Sequence, residues 1–302
     1  PPPAPATIPS PPPPRMEFAA TLGGTTITEG ATPQPGTLFG RYLVEREIGR
    51  GGMGVVFLAR DLQLGEQVAL KVVNARLGGD AQAASERFKR EASAARKVTH
   101  PNVIRIYELG ESPATGELYL AMEYFAGRTL AEILKARGAL PIEEARELLA
   151  RVCDGLAAAH RAGVVHRDLK PGNILVGDGR AVKLIDFGLA KAGYLAGLTA
   201  TGLILGTPEY MAPEQVRGRD VDARADIYAL GAVAYHMVEG HPPFSGDTPI
   251  AIGFAHCTQP ARAPVRPDAP PAMSAAIVRA LAKEPRERFA SVEELRSELL
   301  RA

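Results

Sequence analysis

Residues 166–173 read His-Arg-Asp-Leu-Lys-Pro-Gly-Asn, and 13 positions beyond Asn173 comes Asp186-Phe187-Gly188. Asp168, Asn173 and Asp186 supply three oxygen-bearing side chains and Lys170 supplies a cation, a set suited to moving a phosphoryl group from ATP to a hydroxyl. Asp-Phe-Gly alone would mean little. The two strings in this order and at this separation form a specific catalytic signal.

Two further strings upstream suit the same chemistry. Gly49-Arg50-Gly51-Gly52-Met53-Gly54 fits G-x-G-x-x-G, which dinucleotide-binding folds also use. A loop of that kind must open a helix, whereas Val55-Val56-Phe57-Leu58 is β-branched and aromatic, so these glycines turn a hairpin between strands. An ordinary glycine-rich hairpin is the simpler alternative. The Gly-Lys-Ser/Thr ending of a P-loop is missing. In Val68-Ala69-Leu70-Lys71 one lysine sits in an apolar strand, which demands an anion beside its ammonium. ATP phosphates and a helix carboxylate would serve. Glu91 shares an inward helical stripe with Phe88 and Ala95, while Glu86 shares its face with Arg90 and Lys97, so Glu91 is the expected partner of Lys71 and Glu86 a solvated charge.

The elements that must hold these groups fall into two parts. Tyr42–Ile48, Val55–Arg60 and Gln67–Val73 read as antiparallel strands separated by glycine turns. A helix is expected over Ala84–Val98, then strands near Ile104–Leu109 and Leu118–Met122. From Thr129 onward helical periodicity dominates, over Pro141–Arg161, Ala223–Val238, Ser274–Ala282 and Ser291–Leu300. Phe125-Ala126-Gly127 is the connector, and Pro260–Pro271 reads as an ordered surface loop between helices. The fold class is α+β, with an N-terminal lobe at residues 39–125 and a mainly helical lobe at 126–302. Ahead of them, 11 of the first 36 residues are proline, so residues 1–38 read as a disordered tail, a spacer or a ligand for a proline-binding module.

The chain has 302 residues, 46% hydrophobic and 23% charged, enough for a sizeable core in two lobes. With 35 basic against 34 acidic side chains there is no global field to favour nucleic acid or anionic membrane. Cys153 and Cys257 are too few and too distant for a disulfide framework or a zinc site, and a reducing, cytoplasmic setting is expected. No apolar stretch reaches the roughly 18 residues of a membrane span. Pro1 in place of Met is read as the mark of a fragment, with room for an anchor or sensor outside it.

The catalytic strings resemble those of eukaryotic-like (Hanks-type) serine/threonine protein kinases, and the resemblance runs from about Phe39 to Ala302. It implies a bilobal kinase fold, ATP with Mg2+ or Mn2+, and protein substrates with Ser/Thr acceptors. It implies that Asp168 orients and deprotonates the acceptor hydroxyl, Lys170 steadies the γ-phosphate, and Asn173 and Asp186 hold the metal ions. Gly49, Gly51, Gly52, Gly54 and Lys71 would bind phosphates. Met122 would guard the back of an adenine pocket edged by Glu123 and Phe125, with Val56, Ala69 and Leu175 around the base and Ile48 among the nucleotide contacts. Displacement at phosphorus leaves a protein little covalent work, so alignment and charge neutralisation fit this set.

The same resemblance makes 186–214 an activation segment, with Lys170 and Thr207 pointing to Ser/Thr acceptors. Glu214 is expected to pair with Arg288, and Asp226 to tether the catalytic loop from beneath. Tyr228, where eukaryotic members have tryptophan, and Met53 resemble the bacterial branch. Arg167 beside the catalytic aspartate implies control by phosphorylation, with Thr199, Thr201 or both as autophosphorylation sites, plain loop threonines being the alternative, and a homodimer as the setting for transfer in trans. The competing reading is a pseudokinase scaffold, which commonly lacks one of the residues matching Lys71, Asp168 and Asp186. Small-molecule phosphotransfer fits the full activation segment less well.

Overall fold

The computed structural model describes residues 33–51, 54–73, 81–112, 116–187 and 208–301. The architecture is α+β and bilobal. The N-terminal lobe is built from β1 (Leu38–Phe39), β2 (Tyr42–Gly51), β3 (Gly54–Asp61), β4 (Gln67–Val73), α1 (Ala81–Ala95), β5 (Ile106–Glu111) and β6 (Leu118–Glu123). The strands form one sheet in the order β1-β2-β3-β4-β6-β5, antiparallel throughout.

Period-two alternation in β4 decides where the chemistry goes. Val68, Leu70 and Val72 enter one apolar cluster with Phe39, Tyr42, Phe57 and Tyr119, while Ala69 joins the cluster on the opposite face, the side of Lys71. Gly51 pairs with Gly54 across the β2–β3 hairpin. Gly54 has φ of +147°, and a Cβ there would lie 1.9 Å from the Val72 carbonyl oxygen, so no other residue fits without displacing β4.

The expected tail boundary at residue 38 is corrected by the sheet. The Gly36 amide donates to the Val44 carbonyl and the Val44 amide to the Thr37 carbonyl, each at 2.9 Å, so the chain is tied down before β1.

The second lobe begins with β7 (Arg128–Thr129) and continues through α2 (Leu130–Arg137), α3 (Ile142–Arg161), β8 (Ile174–Val176), β9 (Val182–Leu184), α4 (Pro213–Val216), α5 (Ala223–Glu239), α6 (Pro249–Thr258), α7 (Pro271–Ala280) and α8 (Val292–Leu299). Thr129 and Glu132 form a capping box that starts α2. In α3, Ile142, Ala145, Leu148, Leu149, Val152, Leu156 and Ala159 bury one stripe against the core. The centre of that core is α5, buried on almost every side, capped by Asp222 and ended by Gly240 at φ +80°. Residues 260–270 form the expected loop between α6 and α7. Sequence periodicity did not single out α6, whose signal is the Thr248-Pro249 start: Thr248 Oγ1 accepts from the Ala251 amide.

Candidate active site

The catalytic loop follows α3, and the β8–β9 hairpin folds the chain back so that Asp186 arrives beside it. The closing link is the Ile185 amide, which donates to the Asn173 carbonyl at 3.0 Å. Asn173 Nδ2 donates to the Asp168 carbonyl at 2.7 Å and to Asp168 Oδ2 at 3.1 Å, and Lys170 Nζ lies 3.1 Å from the same Oδ2. These contacts fix the Asp168 carboxylate through one oxygen, and neither uses Oδ1. With its amide nitrogen engaged, Asn173 has Oδ1 to offer a metal ion.

The loop is held from below by Asp226 of α5, 1% exposed. Its carboxylate accepts from the backbone amides of His166 at 2.7 Å and Arg167 at 2.8 Å, and from His160 Nε2 at 2.7 Å. Arg167 has φ of +63°. That left-handed conformation costs an arginine on the order of 1–3 kcal/mol. Gln215 Nε2 adds a third restraint, donating to the Arg167 carbonyl at 2.8 Å. Nothing in the spacing of the sequence pointed to Gln215 or His160.

His166 is fully buried, and its Nδ1 accepts from the Asp168 amide at 3.3 Å while Nε2 faces the Ile185 carbonyl at 3.0 Å. That pattern requires the neutral tautomer protonated on Nε2. Burial pushes its pKa down, against the pull of Asp226 and other carboxylates. The ring also meets Phe187, 4% exposed, at 4.5 Å between centroids.

Lys71, 5% exposed, finds the anion its position demands. The partner is Asp186, whose Oδ1 is 2.6 Å from Nζ, and Asp186 has φ of +59°. The expected Lys71–Glu91 pair is therefore corrected. Phe88 and Ala95 are buried as the stripe required, and Glu91 does face inward, but its Oε1 lies 3.7 Å from Arg167 Nη1. A buried ammonium at 2.6 Å from one carboxylate is already compensated, and α1 directs Glu91 to the nearby guanidinium instead.

The apolar cleft gathers Ile48, Val56, Leu58 and Ala69 from the N-terminal sheet, Met122 from the end of β6, and Ile104, Leu175 and Ile185, with Tyr124 and Phe125 packed against them. Ile48, Val56, Ala69, Met122, Leu175 and Phe125 are thus brought together as expected. Leu58, Ile104, Tyr124 and Ile185 join them without a sequence signal beyond being apolar. Gly49 and Gly51 end β2 and Gly54 opens β3; Gly52, Thr199, Thr201 and Thr207 lie outside the described residues.

Farther down, Arg288 Nη1 and Nη2 bind the Glu214 carboxylate at 2.6 and 2.8 Å, with the guanidinium 0% exposed. Its remaining donors reach the carbonyls of Ala282, Arg224 and Lys283. The expected Glu214–Arg288 pair is present, and it anchors the chain leading from residue 208 into α4.

Among the described residues no three His, Cys, Asp or Glu side chains converge on one point, and no helix is long and apolar enough to cross a membrane. A metal ion here would take Asn173 Oδ1 and the Asp186 carboxylate, both hard oxygens, and draw its other ligands from phosphate and water, a pattern that suits Mg2+.

Residues 42–300 match the protein kinase domain family. The chain is 41% identical over 276 residues to serine/threonine-protein kinase PknB of Mycolicibacterium smegmatis, covering 89% of this chain and 44% of that protein. It is 43% identical over 275 residues to serine/threonine-protein kinase PksC of Streptomyces coelicolor, covering 87% and 49%. It thus spans about half the length of these curated relatives. Among solved structures, the Mycobacterium tuberculosis PknI kinase domain superposes with a TM-score of 0.72 at 30% identity, covering 89% of this chain and 98% of that one. A family match that runs through both lobes and the whole catalytic loop places the chain plainly: it belongs to the protein kinase domain family.

Proposed function

We propose that this chain is an ATP-dependent serine/threonine protein kinase, transferring the γ-phosphoryl group to Ser/Thr hydroxyls of proteins. The observation that carries the reading is the double restraint on Asp168 Oδ2, by Lys170 and Asn173 at 3.1 Å each. It leaves a carboxylate fixed in place with an oxygen to orient an acceptor hydroxyl and receive its proton as the O–P bond forms. Lys170 and Lys71 bring positive charge to the transferring phosphate and its neighbours, and the apolar cleft from Ile48 to Leu175 fits a purine face. Glu123 and Phe125 would present the backbone edge that pairs with adenine. A divalent ion, taken as Mg2+ or Mn2+ on Asn173 and Asp186, supplies neutralisation of phosphate charge when bound.

Regulation follows from Arg167. A phosphorylated Thr199 or Thr201 would offer its guanidinium a dianion and order the segment, with a second copy of the chain as the phosphorylating partner. Thr207 belongs to the proposed acceptor-facing stretch. The free thiols of Cys153 and Cys257 fit a cytoplasmic, reducing setting. A pseudokinase module is the competing reading, and the presence of Lys71, Asp168 and Asp186 together favours turnover.

The test is Asp168→Asn. Label from γ-labelled ATP should no longer enter a protein substrate, while ATP titrated calorimetrically binds within about twofold of the native protein. Undiminished incorporation overturns the role given to Asp168.

A further inference from the structure

The connector between the lobes is fastened to the second lobe at two places. Just ahead of it, Lys183 Nζ lies 2.7 Å from Oε1 and 2.8 Å from Oε2 of Glu123, the last residue of β6, with side chains 14% and 27% exposed. Glu123 is also fixed along its backbone and side chain to Arg105, whose carbonyl accepts the Glu123 amide at 2.8 Å and whose amide donates to Glu123 Oε2 at 3.2 Å. At the other end, the Phe125 ring rests on bare backbone. A Cβ on Gly177 would stand 2.7 Å from Phe125 Cζ, and one on Gly127 would stand 3.0 Å from Phe125 Cε1.

Lys183 sits in β9 directly opposite Leu175 in β8, and Leu175 is the lower wall of the apolar cleft. One side chain therefore ties the upper rim of the cleft, at Glu123, to the strand pair that forms its floor. Ionic contacts this sheltered keep much of their strength because little water screens them.

We infer that Lys183 is a positioning residue for the nucleotide: by holding the Glu123 carboxylate, it fixes the connector backbone at a set height above Leu175, so that the adenine edge is met without reordering. The inference rests on the kinase reading for its substrate, but its effect is on binding. Fixing the connector in advance lowers the ordering entropy lost when ATP docks, and releasing it weakens ATP without touching the transfer step.

The experiment compares native protein with Lys183→Met, Glu123→Gln and the exchanged pair Lys183→Glu/Glu123→Lys. The dissociation constant for ATP is read by calorimetry and KM and kcat by peptide phosphorylation. Lys183→Met should raise Kd and KM for ATP about 5- to 10-fold, with kcat at saturating ATP and KM for peptide within about twofold. Glu123→Gln should match that rise in Kd. The exchanged pair should recover at least half of it on a logarithmic scale, a recovery that loss of packing alone would not give. An unchanged Kd in Lys183→Met, or a Kd that rises and is not recovered by the exchange, overturns the inference. The two readings fail separately: if native protein binds ATP but phosphorylates nothing, the kinase reading falls while the Kd series still decides the role of Lys183.

Discussion

Replacing Asp226 with asparagine is a demanding trial of how the catalytic loop is held. The carboxylate accepts from two consecutive backbone amides, at 2.7 and 2.8 Å, and from His160, at a position 1% exposed. A carboxamide keeps one acceptor oxygen and turns the other position into a donor facing a donor. The loss is one charge-assisted hydrogen bond plus an unsatisfied buried N–H, contributions of ~1.5–3 and ~1–3 kcal/mol that sum to about 2.5–6 kcal/mol, of which the conservative figure is about 3 kcal/mol. That is comparable to the ~1–3 kcal/mol needed to keep Arg167 at a positive φ, so the loop should relax out of its left-handed turn. Urea unfolding followed by circular dichroism should show the midpoint falling by about 1 M, taking a slope near 3 kcal/mol/M for a chain of this size. Per folded molecule, kcat should drop at least tenfold while Kd for ATP stays within about twofold, because Asp226 acts beneath the loop and not in the cleft. An unchanged midpoint with unchanged kcat would mean that the Asp226 carboxylate does not hold the loop. A lower midpoint with native kcat would show that the loop keeps its geometry without Asp226.

Other consequences can be checked with similar means. Glu214→Ala leaves the Arg288 guanidinium buried without its anion and should destabilise the protein by about 3–5 kcal/mol, with Glu214→Ala/Arg288→Met losing less, as read by urea midpoints. Gly54→Ala brings a methyl against the Val72 carbonyl oxygen and should weaken ATP binding by displacing the hairpin, as measured by calorimetry. Burial, and then the Lys283 ammonium, pushes His256 down to about 3, and burial with His241 pushes His236 down to about 4. An unfolded histidine titrates near ~6.5, so below that pH the unfolded chain takes up protons that these folded sites refuse, and stability falls as pH drops from about 6.5 towards 4. His256 adds up to ~1.4 kcal/mol per pH unit to that slope, and His256→Gln should flatten it in midpoints taken across the window. Thr199→Ala/Thr201→Ala should lower both activity and the phosphate count by mass spectrometry, and full retention of both would remove those residues from regulation.

What the sequence disclosed follows from how local each signal is. Strands β2, β3 and β4 and helices α3 and α5 announce themselves through alternation or apolar periodicity, and the β2–β3 hairpin through the spacing of Gly49, Gly51 and Gly54 ahead of a β-branched run. The short strands β7, β8 and β9, two or three residues each, carry no measurable period, yet their pairing is what returns Asp186 to the catalytic loop. Likewise α6 has Pro249 and Gly253 inside an apolar segment, which hides its period. Asp168, Lys170 and Asn173 lie within one short string, so their nearness was legible there, but the contacts of Asn173 and Lys170 with Asp168 Oδ2 were not. The partner of Lys71 was not, because Asp186 is 115 positions away and competes with Glu91 for the same ammonium. Helical phase correctly turned Glu91 inward but could not tell which cation it would meet.

Phosphoamino-acid analysis decides whether this chain transfers phosphoryl groups to protein hydroxyls. Native protein incubated with γ-labelled ATP, Mg2+ and a Ser/Thr-containing protein substrate should place label on serine or threonine, with none on tyrosine and none in a parallel Asp168→Asn reaction. Label on tyrosine, label that persists in Asp168→Asn, or bound ATP with no transfer under Mg2+ or Mn2+ would rule out Ser/Thr phosphorylation through Asp168.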